Sequence, residues 1–101
     1  MVQINWTRTA VEDLKSIFDY IAKDSKKYAQ LQTLKLKSRT LILKSKPFIG
    51  KKVAEKEDLA IRELIEGNYR IIYKIIDENK IDILTIYHTS RDLKRSGIVN
   101  M

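Results

Sequence analysis

The stretch from Ala60 to Leu93, AIRELIEGNYRIIYKIIDENKIDILTIYHTSRDL, decides the fold. Three runs rich in Ile and Tyr, from Leu59 to Ile65, Tyr69 to Asp77 and Lys80 to His88, are divided by turn-forming residues, so each is predicted as a β-strand. Gly67-Asn68 suits a tight turn between the first two runs, and Asp77-Glu78-Asn79 one between the last two. Strands joined so briefly run antiparallel. Arg62, Arg70, His88 and Arg91 lie in or beside this otherwise apolar and aromatic segment. Cations in such surroundings lose hydration, so they are paired or they serve a ligand. No nearby stretch holds enough acid to pair them all, and the simplest ligand is an anion such as a nucleic-acid phosphate.

On the N-terminal side, Val2, Ile4 and Trp6 alternate as in a short strand. Thr7 or Thr9 can cap a following helix, with Glu12 and Asp13 expected in its first turn, where the helix dipole favours negative charge. Ala10, Leu14, Ile17, Phe18, Ile21 and Ala22 fall at helical spacing. Asp24 or Ser25 can cap a second helix, which is expected to turn Tyr28, Leu31, Leu34, Ser38, Leu41 and Ile42 inward and to end at Pro47. A polar loop, PFIGKKVAEKED, then runs from Pro47 to Asp58, with Gly50 permitting a turn. After Ser90 a short C-terminal helix is expected, limited by Gly97. The order β-α-α-β-β-β predicts an α+β fold: an N-terminal strand, then an antiparallel helical hairpin packed on a mostly antiparallel four-stranded sheet.

A chain of 101 residues with 44% hydrophobic content and one proline is expected to be a single globular domain spanning 1–101. Without cysteine it can form neither a disulfide nor a thiolate metal site, and a single histidine argues against zinc. No apolar run approaches the roughly 18 residues of a membrane span, and the start, MVQINWTRTA, does not read as a signal peptide. The expectation is a soluble intracellular protein with no membrane partner. The net charge of +7 is unevenly spread: residues 26–56 hold ten Lys or Arg against Glu55 alone, a local balance of +9 that leaves −2 elsewhere. Such a field attracts polyanions, although a charge run can also be a solvated surface. Lys51 and Lys52 carry it into the loop and are candidate nucleic-acid contacts.

Residues opposite one another in a hairpin share a face, so the register of the last two strands matters. If Asp77 pairs with Ile81, Arg70 lies across from His88; shifted by one residue, Arg70 faces Tyr87 and His88 faces Tyr69. Apolar pairing fits both.

The string RELIEGNYRIIYKI followed by IDILTIYHTSRDL, preceded by a helical hairpin and a Pro-Phe-x-Gly-Lys loop, resembles the RelE/ParE superfamily of bacterial toxins. The likeness runs from Trp6 and Asp13-Leu14 through Tyr20-Ile21-Ala22 to Arg91, and it favours the register that sets Arg70 across from His88. It implies the toxin half of a type II toxin–antitoxin pair in the bacterial cytoplasm. There it would form a hetero-oligomer with a cognate antitoxin, and no cofactor is implied. Two activities divide the superfamily: RelE-like and YoeB-like members cleave messenger RNA on the ribosome, whereas ParE-like members block DNA gyrase.

Carried over residue by residue, the YoeB-like pattern implies Glu55 as general base, His88 as general acid, Arg70 as phosphate clamp and Arg62 as its support. Such groups suit cleavage through the 2′-hydroxyl, because a base, an acid and a planar cation must meet at one phosphate. Tyr69 or Tyr87 would stack on a base, and Arg91 would add a further nucleic-acid contact. RelE-like chains carry paired lysines where this chain has Ile61 and Glu63, and YoeB-like chains an aromatic where it has Thr89. The His-x-x-Arg-Asp ending resembles ParE-like tails. On balance the sequence leans toward messenger RNA cleavage, with gyrase inhibition and a non-toxic basic binding module as the alternatives. Structural roles stand beside these: Arg70 can pair with Glu63 or Glu66, Arg62 and Arg91 can cap carbonyls, and Tyr28, Tyr69 and Tyr73 can be core.

Overall fold

A computed structural model describes residues 2–53 and 56–89. The elements in chain order are β1 (Gln3–Trp6), α1 (Arg8–Ala22), α2 (Lys26–Arg39), a 3-10 turn (Thr40–Lys44), β2 (Lys51–Lys52), β3 (Ile61–Glu66), β4 (Tyr69–Asp77) and β5 (Lys80–His88). The fold is the expected α+β arrangement with one more strand, because two residues of the Pro47–Asp58 loop pair with β3. Five strands lie in the order β1-β5-β4-β3-β2, with β1 parallel to β5 and the other pairs antiparallel.

Each helix starts where its cap dictates. The Thr7 hydroxyl accepts from Ala10 N at 3.2 Å and donates to Ile83 O at 2.7 Å, so one side chain both opens α1 and ties it to β5. Ser25 caps α2 by accepting from Tyr28 N at 3.1 Å. Glu12 and Asp13 fall in the second turn of α1 rather than the first, since the helix begins at Arg8. Asp13 serves β5 instead: its Oδ2 accepts from the Thr85 hydroxyl and from Ile86 N, the latter at 3.1 Å.

The expected inward face of α2 is misphased except at Ile42, which packs against the core. Ala29 and Leu36 are its buried residues, continued by Thr40 and Leu43 in the 3-10 turn, while Tyr28, Leu31, Leu34 and Leu41 are all more than half exposed. The small Ala29 lets the helix lie close to its neighbours, and the larger residues, rotated by about 100° or more around the helix, face out. Apolar residues occur on both sides of α2, so periodicity alone does not select the buried one.

The core fills the space between the helices and one face of the sheet, joining Ala10, Ile17, Leu36 and Leu43 to Leu64, Tyr69, Ile71, Tyr73, Ile81, Ile83 and Ile86. A smaller cluster, Val53, Ile72 and Tyr87 with Ile61 and Leu84, lies on the opposite face. Gly67, with φ of 60°, occupies the first position of the two-residue β3–β4 turn, between the paired Glu66 and Tyr69. Positive φ at that position matches the right-handed twist of the flanking strands.

The β4–β5 register corrects the one favoured from the sequence. Tyr69 pairs with His88 and Arg70 with Tyr87, while nearer the turn Tyr73 pairs with Ile83 and Ile75 with Ile81. The step from Ile72–Thr85 to Tyr73–Ile83 advances one residue on β4 and two on β5, which makes Leu84 the extra residue of a bulge. Asp13 and Thr7 fasten this bulge from α1. It keeps Ile81, Ile83 and Ile86 on the helix side, and because Tyr87 and His88 alternate, His88 follows Ile86 to that side.

Candidate functional site

Strand alternation separates the groups that a nuclease would need together. Tyr69 is buried in the helix-side core, so its neighbour Arg70 points to the opposite face. Ring geometry agrees with the register: Tyr69 and His88 meet edge to face with centroids 5.2 Å apart, and the Arg70 guanidinium lies over the Tyr87 ring at 5.4 Å. His88 and Arg70 therefore project from opposite sides of the sheet.

On the side away from the helices, Arg70 forms an ion pair with Glu63, and their side chains are 14% and 13% exposed. The pairing follows from the β3–β4 register, in which Glu63 faces Ile72 and Ile65 faces Arg70, setting Glu63 and Arg70 diagonally on one face. A carboxylate and a ring already engage this guanidinium, so a phosphate would have to displace the acid.

On the helix side, His88 and Tyr69 line an open groove of about 350 Å³ with Tyr28, Gln32 and Lys35 of α2 and Glu66, Gly67 and Asn68 of the β3–β4 turn. Glu66 also lies 3.9 Å from Arg39. Amides, a lysine and a carboxylate share this groove with the histidine, and among the described residues that line it there is no arginine.

Arg62 is engaged elsewhere again. It donates to Phe48 O at 3.2 Å and to Gly50 O at 3.0 Å, and its guanidinium stacks 5.1 Å from the Phe48 ring. Beside it the buried Tyr73 hydroxyl donates to Pro47 O at 2.8 Å and accepts from Gly50 N at 3.0 Å. Burial pushes the Tyr73 phenol above its ordinary 10.0, against the opposing pull of the Gly50 N–H and the Arg62 charge. Gly50 is needed here for close approach, not for a special turn conformation, since a Cβ on it would sit 2.5 Å from the Tyr73 hydroxyl and 2.7 Å from Glu63 O.

Of the other residues singled out in the sequence, Lys51 and Lys52 form the exposed edge strand β2. Tyr69 and Tyr87 are 6% and 2% exposed, so neither offers a ring face to solvent, and Tyr73 is core as its spacing suggested. Glu55 and Arg91 lie outside the described residues, as does the expected C-terminal helix. The loop clasp was not legible beforehand. Its signal was the coincidence of Pro47, Phe48 and Gly50 with a tyrosine and an arginine on inward strand positions.

Comparison with known proteins places this fold in a family. The family described as the ParE toxin of the type II toxin–antitoxin system, parDE, matches residues 4–93. The chain belongs to the ParE toxin family. Its fold is similar to a chain of the chromosomal ParDE toxin–antitoxin system from P. aeruginosa, with 22% identity, a TM-score of 0.73, and coverage of 89% of this chain and 98% of that one. It is also similar to a chain of the RelBE2 toxin–antitoxin complex from Mycobacterium tuberculosis, with 25% identity, a TM-score of 0.56, and coverage of 86% and 96%. No curated protein matches significantly. For this ParE-family chain, no helix among the described residues is long and apolar enough to cross a membrane.

Proposed function

We propose that this ParE-family chain is a cytoplasmic toxin that arrests growth by binding and blocking DNA gyrase, without cutting RNA. The observation that carries the reading is the divergence of Arg70 and His88 to opposite faces of the sheet, with Arg70 paired to Glu63. A general acid and a phosphate clamp must both lie within hydrogen-bond reach of one phosphate, and side chains leaving opposite faces of a sheet do not meet there. Family membership supports the same reading, as does the ParE-like His-x-x-Arg-Asp ending.

At rest the toxin is held by a cognate antitoxin, a reading supported by its likeness to a chain of the M. tuberculosis toxin–antitoxin complex and to one of the P. aeruginosa ParDE system. The exposed row of Tyr28, Leu31, Leu34 and Leu41 among the lysines of α2 suits an antitoxin segment that lays apolar and acidic side chains against it and folds on binding.

The test is brief expression without antitoxin, reading plasmid supercoiling and cleavage of ribosome-associated transcripts in the same cells. Loss of supercoiling with intact transcripts is expected, and His88→Ala should still arrest growth. Cut transcripts, together with loss of both cleavage and growth arrest in His88→Ala, would restore the nuclease reading; no effect on growth would leave only a basic binding module.

A further inference from the structure

We propose that the loop from Lys46 to Lys52 is a direct contact for unpaired nucleic acid, with Phe48 stacking on a base and Lys46 and Lys52 holding the backbone phosphates. The contact stands whether the toxin's target is gyrase or a messenger.

Three observations carry it. The loop is held rigidly: Tyr73 and Arg62 bind the carbonyls of Pro47, Phe48 and Gly50, Gly50 N returns a bond to Tyr73, and there is no room for a Cβ at Gly50. Yet what this bonding fixes in place is an apolar tip in water, with Phe48 64% and Ile49 45% exposed. Fixing such a tip lowers the entropy that a partner must later remove, which is the mark of a preorganised contact. Lysines flank the tip in the chain, since Lys44 and Lys46 before it and Lys52 after it, across from Arg62 in the sheet, are all exposed.

The chemistry of this tip selects the partner. A protein interface buries around 800 Å² on each side, far beyond the two apolar side chains that the loop offers, whereas a base needs a single ring face. The Arg62 guanidinium covers Phe48 at 5.1 Å, and the ring's exposure leaves it open to a second stacking partner. Lysines on both sides of an aromatic match the phosphate–base–phosphate sequence of a single strand. Duplex DNA keeps its bases stacked on one another and would meet the lysines alone.

The experiment is fluorescence anisotropy of the full chain with a labelled oligothymidine of roughly 16 nucleotides and with a duplex of the same length. Phe48→Ala should weaken single-strand binding by about 5- to 100-fold and leave duplex binding nearly unchanged. Lys46→Ala with Lys52→Ala should weaken both and lower the salt slope for the single strand by about 1.4. Phe48→Trp should preserve binding, and its fluorescence should be quenched by the oligonucleotide beyond any change at Trp6, which also guards against a folding artefact. Failure of the chain to bind the oligonucleotide at about 50 mM salt, or equal affinities for Phe48→Ala and the unchanged chain, overturns the proposal. Binding of polyglutamate with the same Phe48 dependence, and of no oligonucleotide, overturns it in favour of an acidic protein.

Discussion

The two faces of the central hairpin are built from alternate residues of the same strands, yet they hold different chemistry. On the helix side Tyr69, Ile71 and Tyr73 are packed beneath α1 and α2, and His88 opens onto a groove at the end of the hairpin. On the other side Arg70 meets Glu63 and the Tyr87 ring beside a small apolar cluster. Tyr69 and Arg70 are one residue apart, as are Tyr87 and His88. Closeness in sequence is therefore poor evidence that two polar groups share a site when the backbone alternates.

The difference can be broken most forcefully at the ion pair. Glu63→Ala should lower stability by about 3 kcal/mol in urea denaturation, because it takes the carboxylate away from a mostly buried guanidinium, whereas Glu63→Leu with Arg70→Met should recover most of the loss. Equal stability of Glu63→Ala and the unchanged chain would mean that the pair is not structural and that Arg70 is open to a phosphate after all.

On the helix side, the Tyr73 clasp can be cut without opening a large cavity. Tyr73→Phe leaves Pro47 O and Gly50 N without their partner and should cost about 1–3 kcal/mol, with faster amide exchange at Gly50 as the local readout. Between the faces stands the bulge at Leu84. Asp13→Ala removes the acceptor for the Thr85 hydroxyl and Ile86 N and should cost about 1–2 kcal/mol; nuclear Overhauser contacts between His88 and Tyr69 should weaken if the bulge then slips.

The smallest effect is set by pH. Because burial raises the folded phenol of Tyr73 above its unfolded value, the folded chain holds that proton more tightly. Its stabilisation is complete below about pH 10 and is lost as pH rises through the folded value. Urea midpoints followed upward from about pH 9 should fall for the unchanged chain and fall less for Tyr73→Phe.

Much of this was legible in the chain. Gly67-Asn68, Thr7, Ser25 and the three Ile-rich runs act locally, through φ preference, hydroxyl capping and period-two burial, and they gave the element order and both hairpin turns. The phase of α2 was not legible, because Leu and Tyr on one side competed with Ala29 and Leu36 on the other, and only packing distance chose between them. The short strand β2 was hidden as well, since two lysines at a sheet edge carry no apolar pattern.

The functional side chains followed the same division. Arg62, Arg70 and His88 stand out in the sequence as cations among apolar residues, and their need for partners was evident from hydration alone. Which residues Arg70 and His88 face across β4 and β5 depended on one extra residue at Leu84 and on Asp13, some seventy positions earlier in the chain, while Arg62 and the Glu63 pair depended on β3 and the loop beside it. Composition and periodicity fix what each segment prefers, because those preferences are local. The assignment of a side chain to one face of the sheet depends on register, which pairing between distant segments alone can set, and that is why the arrangement of this site belongs to the tertiary structure.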